Sequence, residues 1–430
     1  MNKKLPKIVA LLSAITLTAS LAACSSSGNS DKGGGVITIN YAARITDPNQ
    51  NTADKAIVDA FNKKFTGKYK VVRTATDDAT YKTKQVIMLR SSTPPDVFYA
   101  WEGARAKAVI DAGLSEPLDK YYSQYHWAAE LSPAGVTLGT FGGKKQFVPT
   151  QMSSSVIWYR PDIFKAHNIS VPKTFEELKN AAEALKGAGV APFLCANKDK
   201  WPAQFDWTNM LVANAGVDTY NDLVKGKIRW TDPRIVHAWS LLSDYVKAGY
   251  YYPNPNSMDL AAGVIPFSKG EAAMWIQGNW MMANFRGDSA APSFPVDYFP
   301  VPAASGKSSV LETFAENTLM ISSRSKNKDA AAAFIDYYVS EGSQAKLAKA
   351  GYLFPSNVKV DLAAAGVSAV EQRLAKDMKS AGGATFMHVD HAFAPEVANT
   401  FLDATQGLIG GTVTPEQAAK RVQNTADQAK

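Results

Sequence analysis

The chain has 430 residues, 46% hydrophobic and 20% charged, with 46 Lys plus Arg against 39 Asp plus Glu for a formal charge of +7. This length and apolar share exclude a stapled mini-domain and a disordered chain, and they suggest two or three domains. Two cysteines exclude a disulfide scaffold, and so mild a basic excess excludes the footprint of a nucleic-acid binder.

Lys3, Lys4 and Lys7 precede an uncharged apolar stretch from residue 8 to residue 21. At about 14 residues it is too short to span a ~30 Å hydrocarbon core. A secretory signal peptide over residues 1–23 is expected. It ends in Leu21-Ala22-Ala23-Cys24, followed by Ser25-Ser26-Ser27, and this resembles the lipobox of bacterial lipoproteins. The resemblance implies cleavage before Cys24 and lipidation of its thiol. The anchor would lie at the outer face of the cytoplasmic membrane, and stable anchoring takes more than one acyl chain. Residues 24–35 read as a flexible tether with a reach of roughly 18 Å. No later segment offers 18 uncharged apolar residues, so no membrane span is expected. Without the leader the charge excess falls to about +4. Cys195 is then the lone cysteine of the body and reads as a buried apolar residue.

Residues 36–41 are β-rich and predict a first strand, followed by a loop through Arg44, Asp47 and Asn49. Ile57, Val58, Phe61 and Phe65 repeat at helical spacing. Val71-Val72 marks a second strand, residues 81–89 a helix, and residues 96–99 a third strand after Pro94-Pro95. This β-α-β-α-β rhythm predicts a parallel sheet with helices on its faces. Ligands of such sheets bind beyond the carboxyl ends of the strands, here residues 43–49 and 100–104. Residues 145–149 and 156–159 predict further strands. Thr174 and Glu177 predict a capping box, as do Thr414 and Gln417 before the last helix. Asp232-Pro233 starts another helix, and residues 328–338 and 343–350 predict two more. No repeat of fixed period is present.

No HExxH, GxxxxGK[ST], GxSxG or CxxC motif occurs. No catalytic residue, cofactor or metal is therefore expected, and the protein is read as a non-enzyme. His388-Val389-Asp390-His391 could begin a metal site and resembles half of the metallo-β-lactamase metal motif. The upstream histidine of that motif is Phe386 here, so a polar loop is the reading preferred. Aromatic residues stand beside polar ones in three places. These are Trp101 with Glu102, Trp201 to Trp207 with Phe205 and Asp206, and Trp275 to Trp280 with Gly278 and Asn279. Aromatic faces stack on sugar C–H faces while carboxylates, amides and Arg bond the hydroxyls. Trp158 and Trp239 sit at regular strand or helix positions and read as packing.

Several segments together carry a family resemblance. They are Pro95-Asp96-Val97-Phe98-Tyr99-Ala100-Trp101, Ala112-Gly113-Leu114, Trp158-Tyr159-Arg160-Pro161-Asp162, Val171-Pro172-Lys173-Thr174-Phe175, Lys269-Gly270-Glu271-Ala272-Ala273-Met274, Gly278-Asn279-Trp280 and Pro395-Glu396-Val397. In this order, behind a lipobox, they resemble family 1 extracellular solute-binding proteins, the maltose-binding-protein-like sugar-binding lipoproteins of ABC importers. Arg160 departs from the Asn that relatives usually carry. The resemblance implies an α/β, two-lobed, type II periplasmic-binding-protein-like fold. Each lobe would be a mostly parallel sheet flanked by helices, with the ligand cleft between lobes. Lobe 1 would take residues 36–149 plus 316–354, and lobe 2 residues 150–315 plus 355–430. The implied ligand-binding residues are Arg44, Asp47, Trp101, Glu102, Gln151, Met152, Trp201, Asp206, Trp207, Asn279, Trp280, Glu316 and Asp390. Gln151 and Met152 would lie at a hinge crossing. The implied partners are a carbohydrate, a di- or oligosaccharide by the number of Trp residues, and the ABC permease subunits. No nucleic acid is expected, and the protein would be a monomer. A same-fold binder of a non-sugar solute and a secreted glycoside hydrolase are the alternatives.

Overall fold

The computed structural model describes residues 35–45, 48–286, 292–304, 309, 311–351, 354–380 and 386–429. The expected signal peptide, the Cys24 lipid anchor, the tether up to residue 34 and Asp47 lie outside the described residues.

Among the described residues twelve strands are interspersed with helices. β1 Ile37–Ile45, β2 Tyr69–Asp77 and β3 Val97–Ala100 form the opening β-α-β-α-β unit. β1 is longer than expected and takes in Arg44, because Tyr41 to Ala43 are also buried. The helix Pro48–Lys64 turns Ile57, Val58 and Phe61 inward, one face at helical spacing. The helix Asp78–Arg90 starts where the Asp77 side chain accepts from Thr80 N. β4 Thr140–Phe141 and β5 Lys144–Lys145 make a small hairpin. β6 Val148–Ser153, β7 Ser155–Tyr159, β8 Ala191–Leu194, β9 Ala272–Gly278, β10 Asp297–Phe299, β11 Phe314–Ile321 and β12 Phe354–Pro355 follow.

Two sheets organise the body. The first has the order β12-β6-β11-β3-β1-β2 and the second β10-β7-β9-β8. β1 runs parallel to β2 and β3, and β8 parallel to β9. Every other pairing within the two sheets is antiparallel. The sheets are therefore mixed, which corrects the expectation of mostly parallel sheets. The cause is connectivity: β7 and β11 are entered from the other sheet rather than through a right-handed crossover helix.

Among the described residues the chain passes between the lobes three times. It crosses from β6 to β7 at Ser154, from β10 to β11, and again after β12. The expected boundaries at 149 and 315 fall inside β6 and β11, which belong whole to the first sheet. Asn279 pins the first crossing, since its Oδ1 accepts from Ser153 Oγ at 2.6 Å and Ser154 N at 3.0 Å.

The helices Lys328–Val339 and Glu341–Lys349 pack on the first lobe. The helices Pro395–Ile409 and Pro415–Gln428 pack on the second. At Thr414 both halves of the capping box form with Gln417. At Thr174 only the hydroxyl half forms, because the Glu177 carboxylate accepts from Lys173 N instead. Cys195 is buried, and burial pushes its thiol well above the ordinary range, which removes thiolate reactivity. Among the described residues no helix is long and apolar enough to cross a membrane.

Candidate ligand site between the lobes

The strand-end rule places the site after β3, and the chain there meets the other lobe. Trp101 leaves β3 fully buried, edge-on to Tyr99 at 4.9 Å and Tyr81 at 5.8 Å. Three cations flank its ring: Lys82 and Arg105 at 5.5 Å and Arg44 at 5.6 Å. Arg44 bonds Asp78 at 2.8 Å, Glu316 at 3.1 Å and the Asn317 amide oxygen at 2.9 Å. Asn317 also donates to Gln151 Oε1. Arg44, Gln151 and Glu316 thus belong to one buried network on the first lobe.

Asp390 faces this network from the opposite side. It lies in the one-turn helix Val389–Ala392, and its N–H donates to Gln204 Oε1 of the helix Ala203–Ala215 at 2.8 Å. Its carboxylate receives Lys82 Nζ at 2.8 Å and the Arg105 guanidinium. Burial alone would raise its pKa, but Arg105 and Lys82 prevail and hold the carboxyl well below the usual range.

Gly103 opens the helix Gly103–Asp111 at a φ of 62°, and a Cβ there would strike the His391 carbonyl oxygen. Glycine is required because backbone meets backbone across the cleft. Glu102 is fully buried, with Oε2 accepting from Ala315 N at 2.8 Å. Burial, reinforced by Glu316 and Glu312, lifts its carboxyl well above the ordinary range. Burial, then neighbouring His388, pushes His391 well below its ordinary value, so that imidazole is neutral.

An aromatic wall lines the second lobe. Trp280 packs with Phe205 at 5.4 Å and Trp201 at 5.9 Å, and meets Phe314 of β11 at 6.3 Å. Its ring lies over Gly278, where a Cβ would collide with it. This explains the Gly278-Asn279-Trp280 sequence. Unmet hydrogen-bonding capacity gathers here. Trp280 Nε1, Gln151 Nε2, Ser154 Oγ, Gln277 Oε1 and Thr313 Oγ1 are buried without a partner among the described residues.

The expected residues therefore divide. Arg44, Trp101, Glu102, Gln151, Trp201, Trp280, Glu316 and Asp390 converge at the interface of the lobes. Asn279 serves the crossing. Met152 turns away from Gln151 by strand alternation and packs towards Gly135. Asp206 and Trp207 correct the expectation for residues 201–207. At 100° per residue the helix sends them into the second lobe's core. Trp207 packs among Trp239 at 5.0 Å, Trp230 at 5.9 Å and Phe401 at 4.8 Å. Asp206 accepts from Tyr251 Oη at 2.8 Å, and burial raises its pKa to about 7. Trp158 and Trp239 are core residues whose indole N–H groups donate to Gln277 O and Thr405 Oγ1. Sequence reasoning missed Lys82, Arg105, Glu312 and Phe314. Nothing local marks them, since Lys82 and Arg105 look like ordinary solvated helix charges.

A family model described as bacterial extracellular solute-binding protein matches residues 46–345. The chain belongs to this family. An uncharacterized ABC transporter extracellular-binding protein of Pyrococcus horikoshii is 30% identical over 263 residues, covering 58% of each chain. An alpha-glucosides-binding periplasmic protein of Rhizobium meliloti is 29% identical over 172 residues, 37% of each. The chain thus spans about half the length of the curated relatives it matches. Among solved structures, a chitin oligosaccharide binding protein superposes with a TM-score of 0.84 at 24% identity, covering 92% of this chain and 99% of that one. A solute-binding protein in complex with raffinose gives 0.74 at 18% identity, with 91% and 99% covered. These members of the fold support the two-lobed type II architecture found here.

Proposed function

We propose that the protein captures a carbohydrate outside the cytoplasm for an ABC importer and delivers it to the membrane permease. The observation that carries this reading is the pairing, across one interlobe site, of tryptophans with charged and amide side chains. Trp101 and Trp280 supply faces for sugar rings. Arg44, Gln151, Glu316 and Asp390 supply donors and acceptors for hydroxyls. Contact with both lobes makes the ligand favour the shut state, which the permease then reads. The names of relatives that bind alpha-glucosides, chitin oligosaccharide and raffinose support a sugar, and the number of tryptophans supports two or more rings. In this reading Cys24 carries the lipid anchor and the body works as a monomer without catalysis.

A thermal-shift screen of mono- and oligosaccharides tests the reading. A sugar at 100 times its Kd stabilises by about 2.7 kcal/mol, a visible rise in melting temperature. A rise with an amine or peptide alone, and with no sugar, overturns it.

A further inference from the structure

One cluster in the cleft contains two histidines to which sugar recognition gives no part. Glu316, His388 and His391 are all buried and each brings a ligand atom within 4.8 Å of the other two. His388 Nδ1 is 3.1 Å from Glu312 Oε1, which fixes its ring and leaves Nε2 for a ligand. This is the carboxylate-imidazole arrangement that orients metal-binding histidines. The two imidazole centroids are 3.9 Å apart, and Phe314 and Phe205 pack on the His388 ring. His391 Nδ1 and Glu102 Oε1 are buried, 3.8 Å apart, and each lacks a hydrogen-bond partner among the described residues. Two buried polar atoms at a separation too long for a hydrogen bond are costly to leave so.

We propose that Glu316, His388 and His391 bind a divalent transition cation of the zinc class, with Glu102 at its fourth position. Two imidazoles with carboxylates match the nitrogen and oxygen ligands that zinc takes. Ligands on one tetrahedral zinc stand roughly 3.4 Å apart, given bonds of about 2.0–2.1 Å. Atoms up to 4.8 Å apart therefore have to draw in by as much as about 1.4 Å on binding. Glu102 and Glu316 sit on the first lobe, whereas Gln204 of the second lobe holds the segment carrying both histidines. The ion ties the lobes together. The inference goes beyond sugar capture and does not depend on it, because its test contains no sugar.

The full chain is stripped with chelator, loaded with Zn(II) or Co(II), dialysed, and its metal content measured. About one equivalent is expected to remain, with visible Co(II) bands of tetrahedral coordination. The His388→Ala/His391→Ala variant should retain less than a tenth of that. His167→Ala, at an exposed histidine outside the cluster, should retain all of it. If the double variant fails to fold by circular dichroism, Glu316→Gln takes its place and should lose the Co(II) bands. No retained metal in the unaltered chain overturns the proposal. So does equal retention in the folded cluster variant.

Discussion

Two groups of tryptophans in this molecule have the same side chain and opposite surroundings. Trp207, Trp230 and Trp239 sit with Phe401 inside the second lobe, ring against ring. Trp101, Trp201 and Trp280 stand where the lobes meet, Trp101 beside three cations and Trp280 beside polar atoms without partners. Burial does not separate the groups, since Trp101 and Trp207 are both fully buried. Their neighbours do. An indole among apolar rings contributes packing, and one among charges and amides is, in the function proposed, a surface for a polar ligand.

The comparison can be broken most strongly at Trp207. Trp207→Ala should cost about 3–5 kcal/mol in denaturant unfolding, the price of a core cavity. Sugar affinity of the folded fraction should change less than threefold. A second large effect concerns pH. Buried Asp206 keeps its proton up to about pH 7 when folded, while an unfolded carboxyl releases it near 3.9. Its contribution is complete below that lower value and is lost as pH rises through about 7. Stability should fall by about 3 kcal/mol between pH 5 and pH 8 through this group. Asp206→Asn should flatten that slope in unfolding curves taken across the range.

On the cleft side, Trp280→Ala should weaken sugar binding by about 2 kcal/mol or more, roughly 30-fold, by titration calorimetry. Its unfolding midpoint should move less than that of Trp207→Ala. Equal affinity in the variant and the parent would erase the distinction between the two groups. Gly103→Ala should hold the lobes apart through the Cβ collision at His391. About a tenfold loss of sugar affinity is expected, with a larger radius of gyration in the presence of sugar. The smallest effect is at the last helix, distant in kind from both groups. Thr414→Ala removes the capping box and should cost about 1 kcal/mol of stability with sugar affinity intact.

Much of the fold was legible because it depends on local patterns. The opening strands and helices follow from β-rich runs and helical spacing, and Thr414 and Gln417 announce their cap. Sheet direction was not legible. Nothing in the residues of β7 or β11 says that they enter from the other sheet, since that depends on contacts far apart in the chain. The site was legible in part for the same reason. Trp101-Glu102 and Gly278-Asn279-Trp280 combine aromatic, turn and polar residues in one short stretch. Lys82 and Arg105 become cleft residues only because Asp390 arrives from the far end of the chain. Trp207 was misplaced because sequence proximity to Trp201 conceals the rotation of the helix between them.

The bridge from Asp390 to Lys82 and Arg105 has a consequence for the balance of the whole molecule. Three charges are held out of water where the lobes meet, and the attraction within such a buried cluster is offset by the cost of desolvating it. In the capture cycle proposed above, the pairing would act as a counterweight between the open and shut arrangements. On such a scale a small cargo tips the pan, because its own contacts need supply only the difference. Asp390→Asn, by removing weight from one side, should reset the zero of the scale.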